Sequence, residues 1–406
     1  MADGESDTKY QEYLTHLQGW KVRKDSRVDP SDKSLDKSLR TITQDKVQKY
    51  DTCPVRIALF GLGRIGMIHL QKIYSNPRTK LVYCVEPVAE RRHYVRTAWF
   101  LNDVTFLDIT EVDKVLNDPE IDAIVIGTPT YTHKELTMKA LKAKKAVLCE
   151  KPLAPDFDGT KECYELADKM GVPLLTAFNR RFDPGFFDCR KRARAGEVGK
   201  IRVIKTCARD SPLPPIEYLK TSGGIYKDCA VHDIDVILWV TGELPNQVFS
   251  TAHVYDDKIK AINDFDTVAI MMKFPSGTLG MIDLSRNSCY GYDQRLEVFG
   301  VDGMLTSGNI RPNGVIAENT KGTNQTPYFY SFASRFGEAY GKELDHFVDV
   351  MKGKEKIRVG KMDSLKGFTV VLAAEKSART GKSVYINWSD DGFGTIVDED
   401  EHVKKK

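Results

Sequence analysis

The 406-residue chain is short of the features that would send it somewhere unusual. No apolar stretch approaches the roughly 18 residues needed to span a bilayer, and the opening MADGESDTKYQEYL is acidic and polar where a secretory leader would be basic and then apolar. No membrane association is expected, and the chain reads as cytoplasmic. It has no CxxC pair: Cys53, Cys84, Cys149, Cys163, Cys189, Cys207, Cys229 and Cys289 are scattered, several inside apolar runs where a thiol behaves as a small hydrophobe. This argues against a zinc site and fits a reducing compartment. The eight histidines show no HExxH or related spacing, so no metal is expected. Charge of one sign is scarce as well. Sixty basic against 57 acidic residues leave +3, with no basic stripe interleaved with aromatics, which argues against nucleic acid as a partner.

What is present is enough apolar residue, 41%, to bury a large core in two domains. Residues 1–54 form a charged, hydroxyl-rich N-terminal extension in which Tyr10, Tyr13, Leu14, Leu17 and Trp20 recur at helical spacing. From VRIALF at 55 a regular alternation begins, in which short apolar strands (KLVYCV, IDAIVIG, AVLC, VPLLTAF) alternate with helical patterns. Continuous apolar strands separated by helices indicate a parallel sheet covered on both faces, so residues 55–178 read as a doubly wound Rossmann domain. Residues 179–388 carry longer strand-like runs, such as IRVIKTCARD, DTVAIMMKF and QRLEVFG, and two closing helices over 332–352 and 363–380. They read as an α+β domain with a large, mostly antiparallel open sheet. Such a sheet needs its exposed face covered, which predicts a homo-oligomer, a dimer or tetramer. Residues 389–406 lack apolar periodicity and are expected to be a flexible tail.

Two turns at the carboxyl edge of the first sheet stand out. FGLGRIG follows the first strand and opens a helix, with Gly61, Gly63 and Gly66 spaced as GxGxxG and Arg64 and Ile65 between them. The chemistry asks for a tight turn, close backbone approach to a pyrophosphate, and helix N-terminal amides facing the anion. Glu86 ends the second strand, where a carboxylate accepts bonds from ribose hydroxyls and repels a 2′-phosphate; this favours NAD over NADP, although Arg91 and Arg92 lie close enough to rescue phosphate binding. The fifth strand ends in CEKPLAP, which puts Glu150 and Lys151 where open α/β sheets bind ligands. A charged residue after a buried strand is also ordinary punctuation.

In GGIYKDCAVHDIDVILW, at 223–239, Asp228, His232 and Asp235 fall at i, i+4 and i+7 and share one helical face, with Asp233 pointing elsewhere, as a solvent residue or an early-turn acid favoured by the helix dipole. A wet helix face would look the same. Alcohol oxidation, however, needs a base titrating near neutrality for the hydroxyl proton, an aspartate to orient it, and a cation to favour the developing alkoxide, roles that His232, Asp228 and Lys151 suit. His133, in PTYTHKE, reads as a packing or capping residue.

Together with GTPTYTH at 127–133 and NRRFDPGF at 179–186, these motifs resemble the glucose-fructose oxidoreductase, inositol dehydrogenase and rhizopine-catabolism (Gfo/Idh/MocA) family, and within it the inositol 2-dehydrogenase branch, over residues 55 to about 385. The resemblance implies an NAD-dependent dehydrogenase that oxidises a secondary hydroxyl of a cyclic polyol such as myo-inositol. It implies Thr128, Pro129, Glu150 and Lys151 along the cofactor, Asp228 and His232 as a catalytic pair, and Arg180, Asp235 and Tyr292 in the substrate pocket. Sugar and trans-dihydrodiol dehydrogenases share this scaffold, and a non-catalytic dinucleotide sensor is a further reading.

Overall fold

The computed structural model describes residues 54–399 and 401; the helical pattern from Tyr10 to Trp20 lies outside the described residues. The first half alternates strand and helix: β1 (Val55–Phe60), α1 (Arg64–Ser75), β2 (Thr79–Val85), α2 (Ala89–Ala98), β3 (Thr105–Leu107), α3 (Val112–Asn117), β4 (Ala123–Ile126), α4 (Thr130–Lys142), β5 (Ala146–Glu150), α5 (Phe157–Met170) and β6 (Leu174–Ala177). These six strands form one parallel sheet in the order β3-β2-β1-β4-β5-β6. The order reverses between β1 and β4, and at that switch point the loops after both strands open a crevice for a ligand.

The strands are apolar throughout because both faces are covered. On one face Ala58, Phe60, Ile124 and Val147 pack against Val115 of α3, Leu136 of α4 and Cys163 of α5. The other face, with Ile57, Leu59, Val125 and Leu148, belongs to a larger core that runs through Phe178 and Phe182 into the second half of the chain. Each such side chain contributes about 1.5–3 kcal/mol on burial, so this shared core fixes the two halves against each other.

After a turn at Asn179–Phe182, the second half contains α6 (Pro184–Arg194), β7 (Ile201–Arg209), the short α7 (Ile216–Leu219) and α8 (Val231–Thr241). Strands β8 (Gln247–His253), β9 (Thr267–Lys273), β10 (Leu279–Ser285), β11 (Asp293–Gly300) and β12 (Met304–Ser307) follow, with α9 (Asp257–Ala261) inserted after β8. The chain closes with the hairpin β13 (Ile316–Asn319) and β14 (Gly322–Gln325), helices α10 (Phe332–Arg335), α11 (Gly337–Met351) and α12 (Lys361–Thr380), and strands β15 (Val384–Trp388) and β16 (Gly394–Asp398). The large sheet has eight strands in the order β12-β11-β7-β10-β9-β8-β15-β16, antiparallel except where β7 meets β10. One face packs on α8 and α12; the other leaves Phe249, Met271, Leu279 and Phe299 exposed, with Phe249 directly opposite Met271.

Two expectations change. The helix read over 332–352 is two helices, because Phe336 leaves helical dihedrals (φ −105°, ψ 18°) and its ring enters the core. The flexible tail read from residue 389 is corrected as far as Asp398: after a turn at 389–393, β16 pairs with β15 and Val397 is buried, so a two-strand ribbon supplies the ordering that local periodicity did not announce.

Candidate active site

The turn after β1 is shaped by contacts that only glycine permits. Gly61 has φ +90°, and a Cβ on Gly66 would lie 2.0 Å from the Gly61 carbonyl oxygen, so α1 starts closer to the sheet than any other residue allows. Gly63 is different: it caps α1 without a side-chain hydrogen bond, and a Cβ there would meet no protein atom within 4 Å. Open space in front of uncapped helix amides is what a pyrophosphate requires, so the residues fit a dinucleotide. Glu86 is buried beside this turn, accepting the Leu62 N–H at 2.8 Å and the Val88 N–H at 3.1 Å. Arg91 donates to the Leu62 carbonyl (2.8 Å), and Arg92 is held by Asp108 (3.0 Å). The loop carrying Thr128 and Pro129 closes on the same edge, because Gly127 donates to the Phe60 carbonyl at 2.8 Å and packs beside Ile65. His133 is a packing residue, bridging the carbonyls of Thr128 and Pro152 at 2.8 Å each.

Across the cleft, Lys151 from β5 reaches the segment before α8. Its ammonium donates to the Asp228 carbonyl at 2.6 Å and to Asp228 Oδ1 at 3.1 Å. The same Oδ1 accepts the Tyr218 hydroxyl at 2.9 Å, while Oδ2 accepts Arg286 Nη1 at 3.0 Å. Arg286 is fully buried and its other nitrogen pairs with Asp264 at 3.1 Å. Burial alone would raise the Asp228 pKa, but the Lys151 and Arg286 cations hold it down to about 2. Asp228 is therefore a permanent carboxylate in a cluster of two anions and two cations.

His232 lies four residues on, half-buried, with its ring edge-on to Phe178 and its Nδ1 buried without a partner. Burial, and then the positive charges of Lys151 and Arg180, push its pKa well below the ordinary range, so the imidazole is neutral near pH 7. Asp228 does not orient it: both Asp228 oxygens are committed elsewhere. The reason is local. Residues Tyr226–Ala230 form a wide π-type turn before the regular α8, so the phase assumed for one continuous helix fails at Asp228.

The remaining aspartates depart further from the helical-wheel reading. Asp233 is buried rather than solvent-facing, and ion-pairs with Arg180 at 2.9 Å. Asp235 gives both oxygens to Arg181, at 2.8 and 2.6 Å, and so stands in a buried ion pair with it. Because α8 is buried nearly all round, its acids need cations rather than water, and the adjacent arginines of NRRF supply them. Arg180 also has the buried Tyr292 and Asp210 as electrostatic neighbours, and Asp210 accepts from the Cys229 thiol at 3.4 Å.

Behind Lys151, Glu150 bonds His69 Nε2 of α1 at 2.8 Å, and Tyr340 of α11 stacks edge-on to that imidazole. One turn along α11, Glu343 is fully buried with neither oxygen bonded; burial and the Glu150 charge push its pKa far up, which keeps it a neutral acid. Sequence reading missed Tyr218, Asp210, Arg286, His69 and Glu343. Tyr218 lies in the proline-rich PPIEYLK, which reads as a loop, and Arg286 follows an alternating strand, which gives no hint of complete burial. No group of three or more His, Cys, Asp or Glu residues among the described residues is arranged to hold a metal ion.

Comparison with known proteins follows the same division of the chain. Residues 55–178 match the model of an oxidoreductase family with an NAD-binding Rossmann fold, and residues 186–306 match the Gfo/Idh/MocA C-terminal domain. Myo-inositol 2-dehydrogenase of Thermotoga maritima is 35% identical over 81% of this chain and 98% of its own. NAD-dependent scyllo-inositol 2-dehydrogenase of Bacillus subtilis is 33% identical over 82% of this chain and 96% of its own. The crystal structure of a myo-inositol dehydrogenase from Corynebacterium glutamicum superposes with a TM-score of 0.76 at 34% identity, covering 83% of this chain and 100% of that one.

Proposed function

Because the chain belongs to the Gfo/Idh/MocA family of NAD-binding oxidoreductases, we propose that it oxidises one secondary hydroxyl of a cyclic polyol, an inositol, to the ketone with NAD as cofactor. NAD, when bound, supplies the hydride acceptor. Gly63 and the α1 amides hold the pyrophosphate, with Arg64, Ile65, Thr128 and Pro129 along the dinucleotide, and Glu86 takes the adenosine ribose hydroxyls. Lys151 lies by the substrate hydroxyl and favours negative charge on its oxygen. His232 accepts the hydroxyl proton as the C–H bond electrons leave as hydride, so alcohol and NAD⁺ give ketone, NADH and one proton. Arg180 and Tyr292 bind other hydroxyls of the ring.

The observation that carries this reading is an ammonium, Lys151, anchored on Asp228 and close enough to lower the pKa of a neutral imidazole, His232, whose Nδ1 has no bonded partner. Relatives named for myo- and scyllo-inositol oxidation support the substrate class. The exposed apolar row Phe249, Met271, Leu279 and Phe299 supports a homo-oligomer in which a second copy covers the open sheet face. Seven described cysteines, all free, support a reducing compartment such as the cytoplasm; among the described residues no helix is long and apolar enough to cross a membrane.

The test is NAD reduction by the purified protein across inositol isomers, pyranose sugars and trans-dihydrodiols. An inositol should give the highest kcat/KM. Preference for a sugar or diol would move the substrate class, and nucleotide binding without any turnover would make the protein a dinucleotide sensor.

A further inference from the structure

Arg64, in the first turn of α1, does not turn towards its own domain. Its guanidinium lies over the Tyr218 ring, 5.1 Å from the centroid, and over Phe332 at 5.8 Å, and both aromatics come from the second half of the chain. The ring of Tyr218 therefore meets the cofactor loop, while its hydroxyl donates at 2.9 Å to Asp228 Oδ1, the oxygen that also holds Lys151 at 3.1 Å. Three consecutive contacts join the pyrophosphate end of the cofactor site to the group expected beside the reacting carbon.

We propose that Tyr218 is a positioning residue that couples dinucleotide binding at the α1 N-terminus to the placement of the Asp228–Lys151 pair. The physical basis is the sharing of Oδ1. Without the tyrosine hydroxyl, that oxygen has only the Lys151 ammonium as a partner, and the carboxylate can rotate about its bond to Arg286. With it, Asp228 is held from both sides and fixes Lys151 by carbonyl and carboxylate together. Desolvation of the hydroxyl and the Asp228 charge push the Tyr218 phenol above its usual range, so it remains the donor in its bond to Asp228. A pyrophosphate arriving next to Arg64 orders that guanidinium, and the ring stacked beneath it becomes ordered too. By linkage, whatever tightens Tyr218 also tightens dinucleotide binding.

The proposal rests on the dinucleotide reading of the glycine turn but needs no particular substrate, so its test separates the two. Hydrogen exchange on the full-length protein, with and without NAD, should show nucleotide-dependent protection at residues 216–219 and 226–230. In Tyr218→Phe the protection should persist at 216–219, where the ring still lies under Arg64, and fall at 226–230, where the hydroxyl link is cut. In Arg64→Met it should fall at both. Kinetically, Tyr218→Phe should lower kcat about 10- to 100-fold, the weight of one hydrogen bond to a charged group, and weaken NAD binding by about threefold, the reciprocal cost of the lost coupling. The Arg64→Met and Tyr218→Phe effects on kcat should combine less than multiplicatively. Unaltered protection at 226–230 in Tyr218→Phe, or multiplicative effects of the two substitutions, would overturn the coupling. If no inositol is oxidised but the exchange pattern holds, the coupling stands and only the substrate assignment fails.

Discussion

Along the cofactor wall Gly61, Gly63 and Gly66 act within a single turn, whereas the charged wall draws Lys151, at the same sheet edge, and Tyr218, Asp228, Asp264 and Arg286, from the second half, from five separate segments. The first wall is made of backbone and of room left by missing side chains. The second is a balanced set of buried charges in which every acid is answered by a base. Substitutions in the first should therefore register as affinity, and substitutions in the second as turnover.

The largest effect should come from Lys151→Ala, with kcat reduced by about 10²–10³ and NAD affinity near normal, because Asp228 keeps Arg286 and the fold survives. Calorimetric NAD binding beside steady-state kinetics checks this split. A parallel loss of binding would show that the walls are not separable. His232→Ala should lower kcat about 10²-fold. In the wild-type protein the depressed histidine pKa puts loss of the neutral base below the ordinary histidine range, so kcat/KM should stay level down to about pH 6.5 and fall only in more acid solution. An acid limb centred above pH 7 would assign the base to another group.

On the cofactor wall the expected effects are smaller. Gly63→Ala adds a methyl that meets no protein atom, so the melting temperature should not change while NAD affinity falls about 30-fold, the cost of crowding one close approach. A lowered melting temperature would mean that Gly63 serves the fold. Glu86→Ala should relax the preference for NAD over NADP by about tenfold, read from the ratio of kcat/KM values. If the unsubstituted enzyme already prefers NADP, Arg91 or Arg92 outweighs the carboxylate.

What could be read from the sequence divides along the same line. The glycine turn, the parallel strands and the strand-end lysine rest on local pattern: a positive φ, continuous apolar runs, a motif between strand and helix. The charge pairing of the second wall rests on contacts between distant segments. A helical wheel puts Asp233 in solvent because it assumes that one face meets water, and α8 has no such face. One uniform helix across Tyr226–Ala230 would bring Asp228 to His232, and the π-type turn there does not. The neighbouring arginines of NRRF and the two aspartates of HDID were a usable signal, since two buried acids on one helix require two cations.

The core that runs beneath both walls, from Leu59 and Leu148 through Phe178 and Phe182 to Ile234 and Phe347, has a consequence for traffic. Domains joined by a thin, polar seam open like a jaw to admit ligands. Here, opening the cleft by rotation would tear apolar packing shared by the two sheets. Reactant and product therefore come and go while the two halves stay clasped over that shared core.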